Sequence, residues 1–535
     1  MSFRPPPGRI ARFWTQAQRL DVLMRVGMCV VAAIVLWAVT KAWEPPFVYR
    51  VGDVLSEDIS LVIPVDDDPQ STANELVHAG EPLTPEMIQL LERDHAHEVG
   101  LTSHMHGVVR SLATFGMIFA LYALCGYFIY HQDRRLLKDV RRFATLLTLI
   151  VVSAALACWA WPYPWRAEIV PVLIFGMTCG IAYKRELSLL LSTSLLIFLG
   201  LVCGYGLGEF VVLVGATATA ILLLGRIRSR SKLIKVGFFT GVATFGLSLI
   251  TGLLEGQPLG SPLWELAMRN GLWAFAAGFF VTGLLPSIES VFGVLTDISL
   301  LELGDASHPL LQELVRRAPG TYNHSINVAS IAEAAAEAIG ARRLLVRVGA
   351  YFHDVGKMLK PDYFVENQSA ASNRHDSLVP AMSTLIIIAH VKDGADLARQ
   401  HHLPEPVIDF IEQHHGTTLV EYFYRRASQQ NETNPNGGSV HEEAFRYPGP
   451  KPQTRETAVL MLADAVESAA RALVEPTPAR IEGLVEDIAM KRLLDGQFDE
   501  CGLTLKQLRV VRDSLIKSLT AVYHGRVKYP DQRTA

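Results

Sequence analysis

Residues 351–357 read Tyr351-Phe352-His353-Asp354-Val355-Gly356-Lys357, and the weight placed on that stretch decides how the C-terminal half folds and what it does. A His-Asp pair by itself says almost nothing. The chain has 17 histidines and a second such pair at His375-Asp376. Context separates the two. The first pair lies downstream of His324 (in Tyr-Asn-His-Ser) and upstream of His390, of the His414-His415 pair in Glu-Gln-His-His-Gly-Thr, and of Asp464 in Met-Leu-Ala-Asp-Ala. From about residue 300 onward the sequence is Ala- and Leu-rich with a 3.6-residue period, as in 326–339 and 455–473, and no alternating strand pattern competes. The spacing predicts an all-α domain over 300–535, with His324 opening a helix and His353-Asp354 on one. Imidazole and carboxylate together suit borderline divalent metals such as Fe, Mn, Zn or Co. An adjacent His-Asp pair can offer one side chain to each of two metals, or let the carboxylate bridge them. Two metals a few ångströms apart activate water and stabilise the attacking and leaving oxygens at phosphorus.

Working outward, the N-terminal half differs in composition. Of all residues 50% are hydrophobic and only 19% charged, and mean hydropathy is +0.24, which implies several membrane spans. Apolar runs predict eight, at 26–43, 109–130, 143–161, 169–183, 187–207, 210–224, 236–254 and 272–288, with 169–183 and 210–224 the shortest. Basic residues occur in alternate loops: Arg4, Arg9, Arg12, Arg19 and Arg25; then Arg134, Arg135, Lys138, Arg141 and Arg142; then Lys184 and Arg185; then five between Arg226 and Lys235. By the positive-inside rule both termini lie in the cytoplasm of a bacterial inner membrane. The Arg-rich start could also begin a secretory signal, but no small-x-small site precedes Lys41, so residues 1–43 read as a cytoplasmic N-terminus and an uncleaved first span.

The span interiors carry almost no ionisable residue, which favours an anchor or sensor over a transporter. Residues 44–108 form a small acidic external domain, with 13 Asp and Glu against Arg50 and Arg93, the run Asp66-Asp67-Asp68 and a predicted helix over 84–97. Its histidines, His95, His97, His104 and His106, read as a solvated face rather than a metal site. No basic platform for long nucleic acid exists. Six scattered cysteines give neither a disulfide framework nor a zinc knuckle. The oligomeric state stays open, a homodimer included.

Several blocks resemble one family. They are Leu344–Ala350 leading into His353-Asp354, then Asp362–Gln368, His390-Val391-Lys392-Asp393-Gly394, the His-His-Gly-Thr block, Tyr447–Pro452, the Asp464 helix, and the tail His524-Gly525-Arg526-Val527 with Tyr529-Pro530. From Tyr322 onward the chain resembles the seven-transmembrane HD-domain phosphodiesterases that hydrolyse cyclic di-AMP. That resemblance implies a seven-helix membrane domain over 109–290, a cytoplasmic HD domain over 300–535, and two metals, Fe or Mn. By resemblance, Asp354 bridges the metals; His324, His353 and Asp464 complete one shell, and His390, His414 and His415 hold the other. Lys357 steadies a phosphate as a point charge. The reaction is in-line attack of activated water on one phosphodiester, giving linear pApA. The family's external domain is usually much larger than 44–108.

Other readings meet specific obstacles. A cyclic di-GMP phosphodiesterase of the HD-GYP type carries Gly-Tyr-Pro after its paired histidines, whereas Tyr447-Pro448-Gly449 has another order and lies too far along. A dNTP triphosphohydrolase would not need a membrane half. A nucleotide-binding receptor with an inactive HD domain would have lost a ligand, yet all seven residues are present. Outside that set, His375 reads as ordering the loop 373–380, His401 and His402 as a helix end, Glu467 as either a support for the shell or a salt-bridge partner, and Arg446 and Tyr447 as residues that close over nucleotide.

Overall fold

The computed structural model describes residues 20–524 except for 50–52, 54, 56, 65–71, 79, 82, 102–103, 134–135, 138, 162–165, 369–372 and 433–438. The arginines at 4, 9, 12 and 19, Arg134, Arg135, Lys138, the Asp66-Asp67-Asp68 run, residues 433–438 and the tail beyond His524 lie outside the described residues. The chain divides into two compact units, Met1–Val294 and Leu295–Ala535.

In the first unit, α1 (Leu20–Val39) is followed by an antiparallel hairpin of β1 (Ile59–Pro64) and β2 (Thr72–Val77), with Ile59 opposite Val77, and by α2 (Pro85–Leu101). The hairpin is the one departure from an all-helical plan among the described residues. Leu83 and Leu91 bury their side chains beside Val77, with Met87 and Ile88 packed against them, so this acidic segment has a small core of its own. Next come α3 (His104–Gln132), α4 (Val140–Ala160), α5 (Ile169–Ala182), α6 (Arg185–Cys203), α7 (Leu207–Leu224), α8 (Arg230–Leu254) and α9 (Ser261–Phe292). Seven described helices are long and apolar enough to cross a membrane, namely α1, α3, α4 and α6 to α9, and the protein is multi-pass. At 14 residues α5 is shorter, but it packs against α4, α6, α7 and α9. It is apolar on all sides because it is covered on all sides. Helices α8 and α9 touch where Gly237 meets Gly278 and Gly241 meets Gly271; a Cβ on Gly237 would sit 2.9 Å from the Gly278 Cα. Small residues at such a crossing let backbones touch where lipid supplies no hydrophobic drive.

One helix boundary differs from the expected span limits. Helix α9 begins at Ser261, eleven residues before the expected 272, and so takes Glu265, Arg269 and Asn270 into the helix. The sulfurs of Cys158 and Cys203 also come within 3.4 Å, a pairing that sequence spacing does not reveal.

The second unit is all-helical: α10 (Asp297–Leu303), α11 (Pro309–Arg317), α12 (Pro319–Ala338), α13 (Arg343–Phe352), α14 (Pro380–Gln400), α15 (Glu405–Gln413), α16 (Glu421–Glu432), α17 (Arg455–Arg471), α18 (Pro478–Leu494) and α19 (Leu505–His524). Helix α12 is central, packing against α13, α17 and α19 through fully buried Val328, Ala332, Ala335 and Ala336. Two glycines set close approaches. A Cβ on Gly349 would stand 2.4 Å from the Phe410 ring, and one on Gly356 only 2.0 Å from the His390 carbonyl oxygen. Gly356 thus lets the turn after His353-Asp354 lie directly on α14, which carries His390.

Candidate metal centre

Three helices and two helix-end turns bring the seven expected ligands together. His324 lies inside α12 rather than opening it. His353 and Asp354 do not sit on a helix: α13 ends at Phe352, His353 caps it, and Asp354 adopts φ −109°, ψ 14°. That sparsely populated backbone region is common at functional residues, and here it turns a fully buried carboxylate inward. His390 lies mid-helix in α14, His414 caps α15 with His415 next to it, and Asp464 lies in α17.

The side chains form two groups that share Asp354. Asp354, His390, His414 and His415 offer ligand atoms all within 4.8 Å of one another, and so do His324, His353, Asp354 and Asp464. Asp354 Oδ1 faces His390 Nε2 at 3.4 Å and His414 Nε2 at 3.6 Å. Its Oδ2 faces His353 Nε2 at 3.2 Å and His324 Nε2 at 3.6 Å. Asp464 Oδ1 lies 3.0 Å from His324 Nε2, and Asp464 Oδ2 lies 3.8 Å from His415 Nδ1.

The rings are held from behind. His353, His390 and His414 each donate Nδ1–H to the carbonyl three residues earlier, at 2.7, 2.5 and 2.8 Å (Ala350, Ile387, Ile411). His324 Nδ1 bonds Glu467 at 2.6 Å, and Arg471 holds the same carboxylate at 2.7 Å. A metal-ligating histidine ordinarily gives its second ring nitrogen to such a partner. With Nδ1 hydrogens committed, the lone pairs of His390 Nε2 and His414 Nε2 confront each other at 3.3 Å. His353 Nε2 and Asp354 Oδ1 are buried without a hydrogen bond, while Asp354 Oδ2 meets the Lys357 ammonium at 2.7 Å. Unmatched lone pairs in a dry interior are costly, and this donor set fits a bound cation. The cluster can therefore bind metal ions.

For the group of His390 and His415, electrostatics agree. Burial pushes His390 down to about 3, with Asp354 offsetting it only in part, and burial with His414 holds His415 well below the imidazole range. Both rings are therefore neutral, as ligands must be. Burial also opposes charge on His353, but the adjacent Asp354 carboxylate wins and raises it to about 10. Asp354 itself is held well below the carboxylate range, against its burial, by His353 and Lys357.

Lys357 Nζ lies 2.7 Å from Asp354 Oδ2 and 3.0 Å from Glu366. Glu366, which carried no role in the sequence reading, also accepts the Thr321 hydroxyl at 3.1 Å, while Asn367 accepts the Thr321 amide at 3.2 Å. These bonds close 361–367 over the start of α12. Nothing local marks Glu366, since its partners are 9 and 45 residues away. Glu467 does both things expected of it. His375 stays outside the cluster and bonds the Tyr363 carbonyl at 2.8 Å, ordering its loop. Tyr447 stacks on His415 with centroids 4.3 Å apart. Arg446 is committed elsewhere, to Glu442 and Asp495.

Comparison with known proteins places these features together. Residues 109–296, which hold seven helices, match the family described as 7TM receptor with intracellular HD hydrolase, and residues 321–469 match the HD domain. Residues 109–296 and 321–469 are thus similar, in this order, to the membrane and HD domains of seven-transmembrane HD-domain proteins. The chain is 44% identical over 332 residues to the cyclic-di-AMP phosphodiesterase PgpH of Listeria monocytogenes, covering 61% of this chain and 45% of that protein. To PgpH of Bacillus subtilis it is 35% identical over 461 residues, covering 83% of this chain and 63% of the relative. The chain thus spans about half to two thirds of the length of these relatives. A crystal structure of the Listeria PgpH HD domain in complex with cyclic-di-AMP is 50% identical, covering 42% of this chain and all of that one, with a TM-score of 0.39.

Proposed function

We propose that the chain is a membrane-anchored phosphodiesterase that hydrolyses cyclic di-AMP to linear pApA. The observation that carries this reading is the sharing of Asp354 between two complete ligand groups whose histidines present a lone pair inward. In this reading His324, His353, Asp354 and Asp464 hold one divalent metal and Asp354, His390, His414 and His415 a second, with Fe or Mn suited to the mixed nitrogen and oxygen set. The metals, when bound, supply Lewis-acid activation of water and charge stabilisation at phosphorus. Asp354 would serve both metals, and Glu467 and the three backbone carbonyls fix the rings. Lys357 holds Asp354 in place and adds positive charge beside the phosphodiester. Tyr447, against His415, lines the approach to the second group.

The preference for adenine comes from the relatives' activity. The organisation follows from the sequence: a cytoplasmic N-terminus and first span over 1–43, an external segment over 44–108, a seven-helix membrane domain over 109–290 and an HD domain over 300–535. The alternating basic loops support a cytoplasmic HD domain in a bacterial inner membrane. The test uses the purified full chain with Mn²⁺ or anaerobic Fe²⁺, offered cyclic di-AMP or cyclic di-GMP and followed by chromatography beside Asp354→Asn. Formation of pApA that the variant abolishes is expected. Turnover of cyclic di-GMP alone would overturn the substrate, and binding of either without turnover would make the domain a receptor.

A further inference from the structure

The end of the helix bundle opposite Phe292 holds a polar cavity of about 390 Å³, within the range of small-molecule sites. It is walled by the ends of α5, α7, α8 and α9, by the turn between α6 and α7, and by Val48, Tyr49, Asp53 and Leu55. Asp53, Arg166, Glu168, Glu209, Glu255 and Arg269 line it, an unusual concentration of charge for a membrane bundle.

Arg166 is the clearest sign that the cavity is built for something. It is 7% exposed, and its backbone has φ 41°, a left-handed conformation for a non-glycine residue. Such strain persists only where the surroundings enforce it, and it concentrates at binding sites. Its Nη2 donates to Asp53 Oδ1 at 3.0 Å, while its buried Nε meets no acceptor. Across the cavity, Glu255 Oε1 accepts the Gly208 amide at 3.0 Å, and any side chain at Gly208 would push that carboxylate away from the amide. Asn270 donates to Ser248 at 3.1 Å on the inner wall. Besides the Asp53–Arg166 pair, the charges lining the cavity are Arg269 and three glutamates. A simple anion meets that negative excess, and an apolar molecule would strip water from it. An ammonium group with a carboxylate matches both signs.

We propose that this cavity binds a small amine-bearing zwitterion of amino-acid to dipeptide size, its carboxylate toward Arg166 and Arg269 and its ammonium toward Glu255. The proposal is independent of the phosphodiesterase reading. The test follows thermal unfolding of the full chain in lipid nanodiscs by tryptophan fluorescence, with glycine, L-lysine or glycyl-lysine added, and acetate or butylamine as single-charge controls. A saturable rise in Tm with at least one zwitterion and with neither control is expected. Arg166→Gln and Glu255→Gln each remove a charge-assisted hydrogen bond and should weaken the apparent affinity about tenfold or more. Arg269→Gln takes the place of either variant that no longer unfolds cooperatively. Absence of any zwitterion-dependent shift, an equal shift with acetate or butylamine, or unchanged affinity in the variants would overturn the proposal.

Discussion

Replacing Glu467 by Gln isolates the contribution of a residue that touches no metal. The 2.6 Å bond from Glu467 to His324 Nδ1 is charge-assisted, and Arg471 anchors the carboxylate from the other side. A hydrogen bond to a charged group contributes about 1.5–3 kcal/mol, against roughly 1 for a neutral one. Glutamine keeps the shape and an acceptor oxygen, so the loss is the difference, about 0.5–2 kcal/mol. At 1.4 kcal/mol per tenfold that is roughly a 2- to 30-fold weaker metal site, overlapping the usual effect of changing such an outer partner. The assay is calorimetric Mn²⁺ titration of the purified full chain, with thermal unfolding as a control for folding and His324→Ala as the reference for outright ligand loss. The variant should lie between wild type and His324→Ala. Wild-type affinity in Glu467→Gln would show that Glu467 serves only its salt bridge with Arg471, and the account of how His324 is oriented would be wrong.

Lys357→Ala leaves Asp354 and Glu366 buried without their cation, which typically costs about 3–5 kcal/mol; a clear fall in metal-free Tm is expected, partly restored by adding Glu366→Gln, and no restoration would refute that pairing. Gly356→Ala drives a methyl into the His390 carbonyl, and overpacking costs about 1–3 kcal/mol; Tm and metal content should fall together, whereas full metal loading would show that the turn accommodates the methyl. In the metal-free protein His353 has a raised pKa, about 10 against an ordinary 6.5, so its contribution to stability is complete below pH 6.5 and is lost as pH rises through 10. Metal must displace that proton, so affinity should rise with pH between 6 and 9 and calorimetry in buffers of different ionisation enthalpy should register proton release; a pH-independent affinity would contradict it.

The seven residues of the cluster were legible because each is a histidine or aspartate in a recognisable block, and resemblance sorted them into the two groups that geometry brings together. Their local settings were not. His324 was expected to open a helix, but Pro319 at the first turn starts it earlier. His353-Asp354 was expected on a helix, but the chain turns there so that Gly356 can lie on α14, a tertiary constraint with no local signature. Glu366 escaped notice because its role depends on partners distant in sequence. In the membrane half, hydropathy located the helices but misplaced the start of α9. A helix carrying Glu265 and Arg269 reads as a loop when only apolar residues are counted, and the cavity at that end stayed hidden for the same reason.

The central claim is that these seven side chains form one two-metal catalytic centre, and it is tested most directly by counting metal and turnover on the same sample. The purified full chain, stripped and then titrated anaerobically with Fe²⁺ or Mn²⁺, would be assayed at each step for bound metal and for pApA released from cyclic di-AMP. Two metals per chain are predicted, with hydrolysis appearing as the second is filled and absent in His390→Ala, which removes a ligand from only one group. Full activity at one metal per chain, or two bound metals with no hydrolysis, would contradict it.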